Sequence, residues 1–248
     1  MAQRNLEGKI ALVTGASRGI GRAVATRLAR DGAAVVVNYV SKAAEAGQVV
    51  EEIEKAGGRA IAVQADVSKV SEVERLFDAT IQHFGKVDIL VNNAGVILYK
   101  LLAETTEEEF DRVMSTNAKG TYFACQQAAR RMADGGRIIN FSSSLTVLML
   151  PTYSAYVAAK GAIEQLTHVL AKELGPKKIT VNVISPGTTD TELFGQGKTE
   201  EQKQNFAKLA ALGRLGLPED IADVVAMLAS EDAHWITGQN IRANGGMI

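Results

Sequence analysis

The sequence predicts an α/β fold: one doubly wound parallel sheet of seven strands with helices on both faces. Two observations carry that expectation. Short apolar runs alternate along the chain with longer helix-favouring stretches, as a parallel sheet with crossover helices requires. The first run, Ile10 to Val13, also opens directly onto a glycine-rich turn and then a helix-favouring stretch. At 248 residues, 1–248 reads as a single domain that buries roughly three quarters of its unfolded surface.

The elements follow in order. Ile10 to Val13 is unbroken apolar and leads into a helix near 20–31, which stops at Asp31-Gly32. The second strand, Ala34 to Asn38, is built on three valines that suit a pleated surface; its helix near 42–56 ends at Gly57-Gly58. Ala60 to Gln64 is the third strand, followed by a helix near 69–84, and Ile89 to Asn92 is the fourth. The stretch 107–132 reads as one long helix whose first turn holds Glu107, Glu108 and Glu109, where carboxylates suit the positive end of the dipole. Gly135-Gly136 separates it from the fifth strand, Arg137 to Phe141. A helix over 154–174 and a strand over Thr180 to Ile184 come next. The stretch 188–213 is irregular, with Gly195, Gly197 and a polar run from Lys198 to Asn205, and reads as a substrate lid. Pro218-Glu219-Asp220 opens a helix over 219–230, and Asn240 to Ala243 is the last strand.

Bulk properties exclude several classes. The 27 basic and 28 acidic side chains leave a net charge of −1, which suggests no nucleic-acid or membrane partner. The start, Met1-Ala-Gln-Arg-Asn5, lacks a signal-type apolar region, and no apolar run approaches the ~18 residues of a membrane span. The single cysteine, Cys125, is expected to be a small buried core residue, and the protein to be cytoplasmic. There is no Cys-x-x-Cys, no His-x-x-x-His and no clustered acidic set, so no metal is expected.

Chemistry concentrates at three places. Tyr156 and Lys160 are four residues apart on a helix and therefore share a face. A phenol titrates near ~10, and a neighbouring cation favours the phenolate; reaching ~7 takes about 4 kcal/mol, within reach of an ammonium and a second cation. Such a tyrosine is a general acid/base. Ser143 lies at the C-terminal end of the fifth strand, where ligands bind in open α/β sheets. Gly15, Gly19 and Gly21 let the backbone approach a pyrophosphate that then meets a helix N-terminus. The same turn also matches Gly-x-Ser-x-Gly through Ser17, the nucleophile elbow of α/β-hydrolases. That reading lacks a distinctive histidine among His83, His168 and His234 and is the runner-up.

Together these segments resemble the short-chain dehydrogenase/reductase family from about Leu6 to Gly246, in the family's own order, which implies a Rossmann-like fold and an NADP(H)-dependent carbonyl reductase. Thr14-Gly-Ala-Ser-Arg-Gly-Ile-Gly21 looks like the cofactor turn (Gly15, Ser17, Arg18, Gly19, Ile20, Gly21). Asp66-Val67 looks like the adenine-contacting pair, and Asn92-Asn93-Ala94-Gly95 like the family's element after the fourth strand. Asn117, Ser143, Tyr156 and Lys160 fall where its catalytic tetrad lies. Pro186-Gly187, with Thr189 and Thr191, resembles the segment that closes over the nicotinamide. The resemblance implies that Lys160 also holds the nicotinamide ribose, that Asn117 joins a water-mediated proton relay, and that the protein is a homotetramer. A non-catalytic nucleotide sensor would share the fold, but all four tetrad positions are filled.

The cofactor is expected to be NADPH. The second strand ends on uncharged Asn38 where an NAD site usually carries a carboxylate, and Arg18, Ser41 and Lys42 can reach a 2′-phosphate. The substrate pocket is expected to be walled by Leu145, Val147, Leu148, Met149, Leu150 and Tyr153, with Leu193 and Phe194 from the lid. Such a wall favours a small, fairly apolar ketone, in the branch near tetrahydroxynaphthalene-type reductases. The alternative is a 3-oxoacyl-carrier reductase. Against it, Asp134 replaces one basic carrier-docking position, although Lys177, Arg130 and Arg131 remain nearby.

Overall fold

The five inner strands are buried on both faces, which is why they read as largely apolar runs rather than alternating ones, while the edge strands at 59–64 and 240–243 are partly exposed. A computed structural model describes residues 6–195 and 199–248. Residues 1–5, the lid residues Gln196, Gly197 and Lys198, and the side chain of Leu193 lie outside what is described. The strands are β1 (Ile10–Val13), β2 (Ala34–Tyr39), β3 (Arg59–Gln64), β4 (Ile89–Asn92), β5 (Arg137–Phe141), β6 (Thr180–Pro186) and β7 (Asn240–Ala243). They form one sheet in the order β3-β2-β1-β4-β5-β6-β7, every pairing parallel.

Side chains alternate across this sheet. Ala11, Val13, Val35, Val37, Ile89 and Val91 face α1 (Gly19–Arg30) and α2 (Ala43–Lys55). Leu12, Val36, Leu90, Ile138 and Val181 face the opposite layer, which includes α3 (Val70–Phe84). Chain order reverses between β1 and β4, and the C-terminal ends of those strands flank the crevice where open sheets bind ligands.

The stretch expected to be one helix over 107–132 is three pieces. α4 (Glu107–Val113) opens with Thr106 and Glu109 in a reciprocal capping box, consistent with the acidic first turn. A π-helical segment, Met114–Lys119, follows, and then α5 (Gly120–Arg131). After β5 comes a short helix not expected from the sequence, α6 (Leu145–Leu148), closed by Met149 at φ 51. α7 (Ser154–Leu174) matches its expected range. The stretch expected to be an irregular lid contains two helices, α8 (Glu192–Gly195) and α9 (Glu200–Ala207), the latter capped by Thr199 and Gln202. α10 (Pro218–Ala229) starts at its proline, with Asp220 accepting from the Leu217 N–H at 2.7 Å. Among the described residues no helix is long and apolar enough to cross a membrane.

A buried polar cluster ties the layers at the sheet centre. Asn92 Nδ2 donates to Asn140 Oδ1 at 2.9 Å and reaches Cys125 Sγ at 3.4 Å, while Asn140 Nδ2 donates to Thr167 Oγ1 at 2.9 Å. Burial pushes the Cys125 thiol up to about 12.

Candidate active site

The glycine turn is shaped by what it must not carry. Gly15 sits at φ +62, and a Cβ on Gly21 would stand 2.3 Å from the Gly15 carbonyl oxygen and 2.5 Å from Asn93 Nδ2. Asn93 explains the closeness: its amide donates to the carbonyls of Thr14 (2.9 Å) and Gly15 (3.0 Å). Thr14 Oγ1 in turn accepts from the N–H groups of Asn93 (3.1 Å) and Ala94 (3.0 Å). The turn is thus bolted to the end of β4, leaving the α1 N-terminus open toward a cleft. That cleft is lined by Gly15, Ser17, Arg18, Gly19, Ile20 and Gly21, by Ser41, Lys42, Asp66 and Val67, and by Asn93, Ala94 and Gly95. A bare-backbone cradle, a free helix N-terminus and basic side chains beyond it fit a phosphorylated dinucleotide.

One expected member is elsewhere. Asn38 does not line the cleft; it is buried, with Oδ1 accepting from the Gly15 N–H at 3.2 Å and Nδ2 donating to the Ala65 carbonyl at 3.0 Å. β2 runs one residue further than expected, and Tyr39 and Val40 take the cleft-facing places beside Ser41 and Lys42. Asn38 therefore braces the glycine turn from behind, and the absence of a carboxylate there says nothing about a ribose. Arg18 is ion-paired with Glu192 of α8 at 3.1 Å, and Lys42 with Glu45 at 3.1 Å.

A second cavity adjoins the first, sharing Ile20, Asn93, Gly95, Val96 and Thr191. Ser143, Tyr156, Lys160, Pro186, Gly187 and Thr189 open onto it. The Ser143 hydroxyl stands beside the Tyr156 phenol, where it favours the phenolate, and its Oγ accepts from the Leu145 N–H at 3.2 Å. Lys160 Nζ lies 5.7 Å from the Tyr156 ring centroid and donates to the Phe141 carbonyl at 2.8 Å. Asn117 is fully buried in the π-helical segment, its amide paired at both ends with the Val96 backbone at 2.8 Å. A methyl built on Gly95 would stand 3.1 Å from Asn117 Oδ1 and 3.6 Å from Lys160 Nζ, so the four expected residues converge around one corner.

The electrostatics correct one expectation. Burial raises the Tyr156 phenol to about 12, against a lowering by the Ser143 hydroxyl. Burial lowers Lys160 to about 8. In the free fold desolvation wins over the neighbouring cation, because the ammonium is aimed at the Phe141 carbonyl rather than at the phenolic oxygen.

Leu145, Leu148, Leu150, Tyr153 and Phe194 line this cavity. Val147 and Met149 do not; they are exposed, because the α6 turn and the left-handed Met149 direct them outward. The sequence reading missed Ile97, Tyr99, Phe206 and Met247. Phe206 is the one aromatic side chain of the polar α9 segment and meets Phe194 edge-on at 5.4 Å, a signal that was available. Tyr99 stacks edge-on with Tyr153 at 5.1 Å, and burial holds Tyr153 above its ordinary value. The three histidines are remote from Ser17: His168 pairs with the Gly238 carbonyl, His234 with that of Glu231, and His83 packs on Phe84.

Comparison with known proteins places this geometry. The family described as enoyl-(acyl carrier protein) reductase matches residues 15–248. An uncharacterized oxidoreductase of Methylorubrum extorquens is 50% identical over 245 residues, covering 98% of both chains. A hydroxynaphthalene reductase-like protein of Metarhizium guizhouense is 43% identical over 99% of this chain and 97% of its own. The solved structure of the angucycline C-6 ketoreductase LanV with bound NADP superposes with a TM-score of 0.93 at 47% identity, covering 98% of this chain and 96% of that one.

Proposed function

Because this chain belongs to the short-chain dehydrogenase/reductase family, we propose that its substrate is a free, fairly apolar ketone rather than an acyl chain on a carrier protein. It is an NADP-dependent oxidoreductase acting on carbonyl and hydroxyl groups. One observation carries the narrower reading: Ser143 and Tyr156 both open onto a cavity whose other walls are largely aliphatic and aromatic.

NADPH, when bound, supplies the hydride. Gly15, Gly19, Gly21 and the α1 N-terminus hold its pyrophosphate, Arg18, Ser41 and Lys42 its 2′-phosphate, and Asp66 and Val67 its adenine. A ketone oxygen arriving between Ser143 and Tyr156 accepts a hydrogen bond from each hydroxyl. The Ser143 hydroxyl stabilises the negative charge that builds there. Tyr156, which keeps its proton in the free fold, delivers it to that oxygen. Lys160 stands behind the phenol as the source of positive charge, and Asn117 fixes the Gly95–Val96 corner beside it. The family description names carbon–carbon reduction, whereas this pair of hydroxyls is laid out for a carbonyl oxygen.

Against the carrier alternative, two of the three basic residues that would meet an acidic carrier are engaged, and the third, Arg130, is exposed. Lys177 Nζ donates to the Ala129 carbonyl at 2.8 Å and Arg131 pairs with Asp78 at 2.6 Å, while Asp134 is exposed. The deciding comparison is kcat/KM for a simple aryl ketone against a 3-oxoacyl carrier. The ketone should win, and a carrier substrate used a hundredfold better would reverse the reading. A cytoplasmic homotetramer completes the proposal; exposed Phe110, Tyr122 and Val169 on α4, α5 and α7 supply apolar surface for it.

A further inference from the structure

Tyr156 and Lys160 are the first two members of a longer row on α7. Steps of three and four residues along the same face reach Glu164 and Thr167, and each member of the row except Tyr156 grips β5 or the turn beyond it. Lys160 Nζ donates to the Phe141 carbonyl at 2.8 Å. Thr167 Oγ1 accepts from Asn140 at 2.9 Å. Glu164 does more than either: its Oε1 accepts from Ser142 Oγ at 2.6 Å and from Thr146 Oγ1 at 2.8 Å. Ser142 closes the ring by reaching the Lys160 carbonyl at 3.4 Å.

Those two hydroxyls flank Ser143 in the chain, one on the strand tip and one in α6. Thr146 also ties back through its N–H to the Ser143 carbonyl at 3.1 Å, and its one hydroxyl proton is shared between Glu164 and that carbonyl, 2.9 Å away. A carboxylate accepting two short hydroxyl bonds is a stiff, charge-assisted anchor. It fixes the segment carrying Ser143 against the helix carrying Tyr156. We propose that Glu164 is a positioning residue for the carbonyl-polarising pair: it sets the Ser143–Tyr156 spacing without touching substrate or cofactor. This rests on the roles given above to Ser143 and Tyr156.

Catalysis is steep in such spacing, since a misplacement of about 1 Å can cost on the order of 100-fold. The experiment measures single-turnover ketone reduction and NADPH affinity for Glu164→Met, Glu164→Gln, Ser143→Ala and the Ser143→Ala/Glu164→Met pair. Glu164→Met keeps the bulk and removes the acceptor; it should lower kcat at least tenfold while KM and the NADPH Kd stay within about twofold. Glu164→Gln, whose amide oxygen can still accept both hydroxyls, should recover most of the rate. In the double variant the second change should add little to Ser143→Ala, because the anchor acts only through that serine. Should Glu164→Met fail to fold, Thr146→Val removes one of the two donors and carries the same expectation at smaller size. A wild-type kcat in Glu164→Met, no recovery in Glu164→Gln, or fully additive losses would overturn the proposal. If Ser143→Ala itself kept full activity, the catalytic reading would fall first and take this one with it.

Discussion

Tyr156 and Lys160 show that a residue pattern and its energetics are legible to different degrees. The four-residue spacing identified the pair, and α7 does place both side chains at one corner. The sign of the electrostatics was not legible, because spacing says nothing of desolvation or of the Phe141 carbonyl that takes the ammonium. Two outcomes follow. Tyr156→Phe should abolish steady-state ketone reduction while leaving the NADPH Kd within about twofold, since it removes a proton and almost no packing; residual turnover above a few per cent would remove the phenol from the acid role. Lys160 is lowered from 10.5 to about 8 by burial, so between those values the unfolded chain binds more protons than the folded one. The resulting penalty is fully present below pH 8 and fades as pH rises toward 10.5. Lys160→Met should therefore stabilise the protein at pH 7 by about 2 kcal/mol, after allowing for the orphaned Phe141 carbonyl. The gain in Tm should shrink in melts run toward pH 10. Asn38 was misread for a related reason: a strand's last residue can be counted from sequence, but the face it presents depends on where pairing stops, and β2 continues to Tyr39.

At the scale of elements, the helices announced by capping chemistry were legible and the interruptions were not. The acidic turn at 107–109 and the proline at 218 mark real helix starts. The π-helical segment has no compositional signature, because it is the helix yielding to a tertiary demand: the Asn117 amide must meet both backbone groups of Val96. Such segments recur at functional sites. The helices of the 188–213 stretch were not legible, although Thr199 and Gln202 spell a cap. The first of these helices is tied to the glycine turn by the exposed Arg18–Glu192 pair. An exposed pair contributes little to stability, yet this one occupies a cation that the 2′-phosphate would use. Glu192→Gln should accordingly tighten NADPH by about two- to fivefold and leave NADH unchanged, by fluorescence titration. Equal effects on both cofactors would show that Arg18 does not reach the 2′ position.

For the whole molecule, the sheet was the most legible feature of all. Burial on both faces makes the five inner strands largely apolar and easy to find, while the two partly exposed edge strands were legible from the alternation of strand and helix. What cannot be read that way is how the cavity walls assemble from distant pieces, so Tyr99, Phe206 and Met247 entered only through the fold. Cofactor binding should stabilise this fold by mass action: at a hundred times its Kd, NADPH should add about 2.7 kcal/mol, seen as a rise in Tm that NADH at equal concentration does not match.

The cysteine at the sheet centre makes the molecule its own stopwatch. Cys125 is the sole thiol in the chain, it is 1% exposed, and burial raises its ionisation to about 12. A thiol-directed alkylator can therefore find it only when the packing around α5 opens. The labelling rate of the untouched wild type then counts those openings directly. Repeated with NADPH present, it converts cofactor binding into a waiting time for that opening, with no engineered probe.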